Sequence, residues 1–237
     1  CEVLLTQFTC HLYKLRAHEE VVRVMNSALA KRGELTASHH FALGLSLFEL
    51  KQYHEAAEQM RQCVAKRKHP TVSPINTDIL TAAPNHCLAL CLANAKDFSG
   101  AEKAFQSALA EQGRLDDIKL DYAKFLAGQN RQVEALQKLN ELVGVNSRNI
   151  AAWRTGGEIA LSRPEFLEFA RDWTGEAVRY AADDLIVLAQ RAEALMLNED
   201  LAAAAELWER VWNGAPKPIA LAALILCETV ASPTTYA

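Results

Sequence analysis

Few residues in this chain have the types and spacing that chemistry needs. Cys87 and Cys91 stand four apart, so a helix would put both thiols on one face, with His86 beside them. Those are zinc-ligand types, but a zinc site takes about four ligands, and no CxxC pair or second cluster accompanies them. The six cysteines (Cys1, Cys10, Cys63, Cys87, Cys91, Cys227) therefore read as small thiols buried in helix contacts, and reduced thiols point to a cytoplasmic setting. His39 and His40 are adjacent, would face different sides of a helix, and have no HExxH around them. The carboxylate pairs Asp116-Asp117 and Asp183-Asp184 sit where helices begin, and capping and the helix dipole account for them. Lys66-Arg67-Lys68-His69 falls at a helix C-terminus, where cations are favoured. Gly156-Gly157 lacks the Lys-Ser/Thr of a phosphate-binding loop, and there is no Gly-x-Ser-x-Gly elbow. The residues give no catalytic constellation, no metal centre and no cofactor site, so the chain reads as a non-enzyme.

The elements that carry these residues are helices. Of 237 residues only 10 are Gly and 7 are Pro, fewer turn formers than a β-rich or loop-rich protein requires. The net charge of −4 provides no basic field for nucleic acid or an anionic membrane. The longest strongly apolar run, Ile219 to Cys227, is far short of the ~20 residues that span a bilayer. The chain has no initiator Met, and apolar helical spacing begins at Val3 with no N-cap before it, which suggests a piece of a longer protein rather than a lipoprotein starting at Cys1.

A phrase of about 34 residues repeats. Its clearest copy holds Tyr53, Ala56, Met60 and Cys63. It returns as Phe98, Ala101, Phe105 and Ala108, and as Leu201, Ala204, Trp208 and Val211. Weaker copies centre on Val21 (with His18, Met25 and Ala28), Ala135 and Ala170. Another helical stretch precedes each phrase, as in Leu43-Gly44-Leu47 and Tyr122-Ala123-Leu126, with a small residue where the paired helix crosses closely. In the fifth unit that stretch is Trp153 and Gly157. Gly33, Gly113, Gly128 and Gly214 mark helix ends, Asn149 reads as an N-cap, and Ser162-Arg163-Pro164-Glu165 reads as a capping box. An insertion with Pro70, Pro74 and Pro84 breaks the period once. It is expected to be a loop over 70–83, with a short helix opened by Ser73-Pro74, and reads as a tolerated surface excursion or as a lip over the groove.

This pattern resembles the tetratricopeptide repeat family. The resemblance implies an all-α, right-handed superhelical solenoid of antiparallel helix pairs. It divides the chain into one array with repeats at about 2–35, 37–69, 82–114, 116–148, 150–182 and 185–217, and a terminal helix at 218–231. In the family the first helix of each repeat lines a concave groove that holds a peptide or a partner helix. Carried onto this chain, the groove positions are Tyr13, Phe41, Leu45, Phe48, His86 and Leu90, then Asp117, Asp121, Lys124, Arg154 and Glu158. The family's carboxylate-binding class needs Lys and Asn where this chain has Ser38, Ala42, Ala83, Cys87, Asp117 and Asp121, so chaperone-tail binding is not expected. Asp121 and Arg154 are a candidate pair across adjacent repeats.

The reading is a non-catalytic interaction scaffold that binds a protein or peptide, with no nucleic acid or membrane partner. One alternative is a docking arm of a larger enzyme such as a glycosyltransferase. Another is a subunit that assembles through the terminal helix, whose Ile219, Leu221, Leu224 and Ile225 spread round its circumference and predict contact with a second copy or with further chain. Wrapping of that helix by Trp212 and its neighbour is the alternative to such a contact.

Overall fold

The structure, a computed structural model, describes residues 2–27, 34–69, 77–111 and 113–231. Cys1, Ala28, Gly33, Pro70, Ser73 and Pro74, named above, lie outside them. Packing divides the chain into two compact units, Cys1–Ile118 and Lys119–Ala237. Unit 1 holds α1 (Glu2–Lys14), α2 (His18–Met25), α3 (Ala37–Glu49), α4 (Tyr53–Lys66), a 3-10 turn (Thr77–Leu80), α5 (Ala83–Asn94) and α6 (Phe98–Leu109). Helix α7 (Leu115–Gly128) carries the boundary. Unit 2 continues with α8 (Gln132–Val145), α9 (Ile150–Leu161), a 3-10 turn (Pro164–Phe166), α10 (Leu167–Tyr180), α11 (Leu185–Leu197), α12 (Leu201–Gly214) and α13 (Pro218–Ala231). Among the described residues there is no strand.

Within each unit, helices pack on their chain neighbours, and the first helices of successive pairs also touch: α1 on α3, α3 on α5, α9 on α11. The repeated phrase is the buried stripe of each second helix: Ala56, Met60 and Cys63; Ala101, Phe105 and Ala108; Ala204, Trp208 and Val211. The small residue of the first helix faces this stripe. At Gly44 a Cβ would come within 2.9 Å of Met60. In the fifth unit the facing residue is Gly156, where a Cβ would lie 2.3 Å from the Trp173 ring, while Gly157 faces Gln190 of α11.

The turn inside a pair repeats as well. Arg16, Lys51, Lys96, Asn130 and Glu199 all adopt left-handed backbone, with φ between 57° and 65°. Each closes its helix with two bonds: the Lys51 N–H donates to the Phe48 carbonyl and the Gln52 N–H to the Leu47 carbonyl, both at 2.9 Å. Such a cap is usually built on glycine, so a side chain in this conformation costs about 1–2 kcal/mol. Gly128 and Gly214 do mark helix ends, as the last residues of α7 and α12, but neither takes the left-handed position. The fifth pair lacks the left-handed cap. There Ser162 is the C-cap of α9, its hydroxyl donating to the Ile159 carbonyl at 2.7 Å, and a 3-10 turn follows. This replaces the expected capping box at Ser162, because Pro164 fits the first turn of the 3-10 segment and carries the chain into α10. Asn149 does cap α9, accepting from the Ala152 N–H at 3.0 Å.

Where it is described, the insertion is a surface turn, with Thr77, Asp78 and Leu80 exposed, that is anchored by one buried residue. Its 3-10 turn at Thr77–Leu80 puts Ile79, 1% exposed, into a cluster with Ala37 and Cys63, against Phe41. The basic run holds it there. The Arg67 guanidinium donates to the Thr81 carbonyl (3.0 Å) and to both carboxylate oxygens of Glu111 (2.9 and 2.7 Å), and Glu111 also accepts from Asn85 (2.7 Å). Lys66 donates to the Leu35 carbonyl at 3.0 Å.

In unit 2, α13 lies on α12 through Ala220 and Cys227, with Ala223 and Leu224 partly buried in the cluster of Leu188, Leu195, Trp208 and Val211. Leu224, expected at an outer contact, belongs to this inner face. Trp212 packs against the same cluster from α12. The other side of α13 is uncovered: Ile219, Leu221, Ile225, Leu226 and Val230 are all exposed.

Candidate functional site

A cleft of about 300 Å³ opens between α1 and α3 in unit 1. Helix α1 lines it with Thr6, Cys10, Tyr13 and Lys14, and α3 with Ser38, Phe41, Ala42 and Leu45. Steps of three and four residues put each set on one helix face. Ile79 closes the floor, which gives the insertion its place at the site. The thiol of Cys10 is free and exposed, unlike the buried Cys63, Cys91 and Cys227, because its helix face looks into the cleft rather than into a helix contact.

A buried histidine fixes the two walls. The Thr36 backbone N–H donates to His39 Nδ1 at 3.2 Å, so Nε2 is assigned the proton and lies 2.9 Å from the Thr6 hydroxyl. This bond, 98% shielded at the histidine, spans α1 and α3 beside the cleft. His40 turns the other way, to Gln59 of α4 at 2.8 Å, and burial lowers its pKa below the ordinary imidazole value.

The apolar bowl runs into a polar depression through Tyr13 and Lys14, which line both. Arg16, His18 and Glu49 complete that second hollow. The Tyr13 ring meets His18 edge-on, 5.5 Å between centroids. Burial is the main cause that raises the Tyr13 pKa, with Glu49 adding to it, so the phenol stays protonated and able to donate.

Of the groove residues expected from the sequence, the structure brings Tyr13, Phe41 and Leu45 together in this cleft. Phe48 packs edge-on against Tyr53 (5.5 Å), and His86 lies against Phe105 (6.2 Å). Leu90 is half-buried on α5. Asp117 sits 3.6 Å from Arg114. In unit 2, Lys124 is 3.6 Å from Asp121, and Glu158 is exposed on α9. Arg154 does not turn to Asp121. Its guanidinium grips both oxygens of Asp184, Nε at 2.9 Å from Oδ1, and Gln190 donates to the Arg154 carbonyl at 2.8 Å. Asp184 also caps α11 through the Ile186 and Val187 N–H groups, so the ion pair joins α9 to α11. The Arg154 guanidinium holds the Asp184 carboxyl below the usual carboxylate range.

Thr6 and Cys10 were not among the residues expected here, although a shift of 35 residues carries Thr6, Cys10 and Tyr13 onto Phe41, Leu45 and Phe48. The repeat register is the signal that would have found them. Nothing in the sequence points to Ile79, since its place depends on how the insertion folds back.

No protein-family model matches the sequence, and no curated protein matches it. Solved structures do. The C-terminal part of a TPR repeat-containing protein from Cytophaga hutchinsonii superposes with a TM-score of 0.75, covering 95% of this chain and 85% of that one at 14% identity. The chain has the tetratricopeptide-repeat fold. PilF of Pseudomonas aeruginosa matches 82% of it and 83% of its own chain (TM-score 0.61, 18% identity). YrrB, described as a TPR protein with an unusual peptide-binding site, matches 81% of it and 92% of its own chain (TM-score 0.57, 14% identity). In tetratricopeptide terms the cleft lies between the first helices of the first two repeats, and Arg154–Asp184 bridges the first helices of the fifth and sixth.

Proposed function

We propose that this protein is a non-catalytic interaction scaffold whose unit 1 cleft holds one apolar side chain of an extended peptide. The observation that carries this reading is the bowl itself. A tetratricopeptide groove position on each of two neighbouring helices opens onto the same apolar space, and Lys14 and Tyr13 supply donors at its edge. The described peptide site of YrrB supports peptide recognition on this fold. A cytoplasmic setting is part of the proposal, because five free thiols are kept reduced there. Peptides selected from a random library on the whole chain test it. They are expected to share one large apolar residue and to bind Leu45→Glu at least tenfold more weakly, with the helical signal unchanged. Selected peptides that bind Leu45→Glu as tightly as the parent chain overturn it.

A further inference from the structure

On α13, Ile219, Ala222, Leu226 and Val230 fall within an arc of about 80° at 100° per residue, and Ala220, Ala223, Leu224 and Cys227 within another arc of about 100° that faces α12. Ile219 is 72%, Leu226 51% and Val230 57% exposed. The repeat register explains the first arc. A shift of 34 residues carries Leu188 and Ala192 of α11 onto Ala222 and Leu226. In α11 those residues are buried against the α12 stripe of Ala204, Trp208 and Val211. The bare arc of α13 is therefore the face with which a first helix of a pair receives its second helix, and its occupant is an antiparallel helix with an apolar stripe.

We infer that the occupant is α13 of a second copy. About a two-fold axis the arc is complementary to itself: antiparallel pairing sets Ala222 opposite Leu226 of the other copy, twice, and brings Ile219 within one residue of Val230. Small meets large, as Gly44 meets Met60 and Gly156 meets Trp173 inside the pairs. Charge agrees with this. Helix α13 contains no Lys or Arg, and its one acid, Glu228, lies well outside the arc. The face therefore does not repel its own copy, attracts no charged partner and lacks the cations that hold a helix on an anionic lipid surface. At ~1.5 Å per residue the helix is about 21 Å long, a contact at the small end of interfaces, so a dimer that dissociates on dilution is expected. This inference is independent of the peptide cleft.

Sedimentation equilibrium of the whole chain between 1 and 100 µM tests it. The expected result is twice the 26.2 kDa chain mass at the upper end, dissociating on dilution. Leu226→Glu is expected to stay monomeric throughout, with its circular dichroism and melting temperature unchanged. The register has its own test. Ala222→Leu is expected to weaken the dimer at least tenfold, because two leucines then collide, and Ala222→Leu with Leu226→Ala to restore it. A chain monomeric at 100 µM, a species larger than a dimer, or tighter association of Ala222→Leu overturns the inference.

Discussion

The cleft of unit 1 and the α9–α11 face of unit 2 both lie between the first helices of neighbouring repeats and come out opposite. In unit 1 Thr6 reaches across to His39, but beside that bond Cys10, Ser38, Ala42 and Leu45 do not fill the gap between the first helices, and a space remains. In unit 2 those helices present Arg154, Asp184 and Gln190, long enough to bridge, and the positions are spent on holding α9 to α11. A groove is thus not a property of the repeat. It exists where the side chains at the lining positions fail to reach one another.

The largest expected effect breaks the unit 2 side of the comparison. Gly156→Val drives a side chain into the Trp173 ring, whose indole N–H is tied to the Trp153 carbonyl at 2.9 Å and cannot yield. Overpacking of this kind costs about 3 kcal/mol, read as a lower urea midpoint. In unit 1, Gly44→Ala meets the flexible end of Met60 at 2.9 Å, with Gln59 Cβ and Met60 Cγ at 3.3 Å, and is expected to cost about 1 kcal/mol. An effect between these two separates the floor of the cleft from its walls. Glu111→Ala leaves Arg67 and Asn85 without their shared acceptor, releases the turn that carries Ile79, and is expected to cost about 2 kcal/mol together with a loss of peptide binding.

The Arg154–Asp184 bridge predicts a pH dependence confined to unit 2. The folded carboxyl titrates below its ordinary value, so the pair stabilises fully above the ordinary carboxylate range and that stability is lost as pH falls through the lowered pKa. Asp184→Asn is expected to melt lower than the parent at pH 7 and to show a shallower decline below about pH 4. Fluorescence of the tryptophans, all of which lie in unit 2, follows this. The smallest effect is a gain. Lys51→Gly removes a left-handed side chain, and after the entropy cost of glycine it is expected to stabilise by about 0.5 kcal/mol, read as a rise in melting temperature.

Much of this was legible in the sequence, for particular reasons. The stripe of Ala56, Met60 and Cys63 and its copies is a local pattern, and a buried helix face must have it. Tyr13, Phe41 and Leu45 followed from their places in the repeat. The left-handed turns escaped because Arg16, Lys51, Lys96, Asn130 and Glu199 have no single residue type in common and none is glycine; only the tertiary packing of each pair forces them into one conformation. Arg154 was assigned to Asp121 because the sequence gives charge but not reach.

The sequence by itself determined the helices, their pairing and the faces they bury, since hydrophobic spacing and short turns leave an antiparallel pair as the way to cover each stripe. It also determined that the last helix carries more apolar surface than one neighbour can cover. Only the tertiary structure decided which lining positions open into a cleft and which close into an ion pair. It also made the end of the insertion a floor by burying Ile79, and left Ile219, Leu226 and Val230 rather than Leu224 bare. These outcomes depend on the lengths of side chains that meet across helices far apart in sequence, and no local pattern encodes that distance.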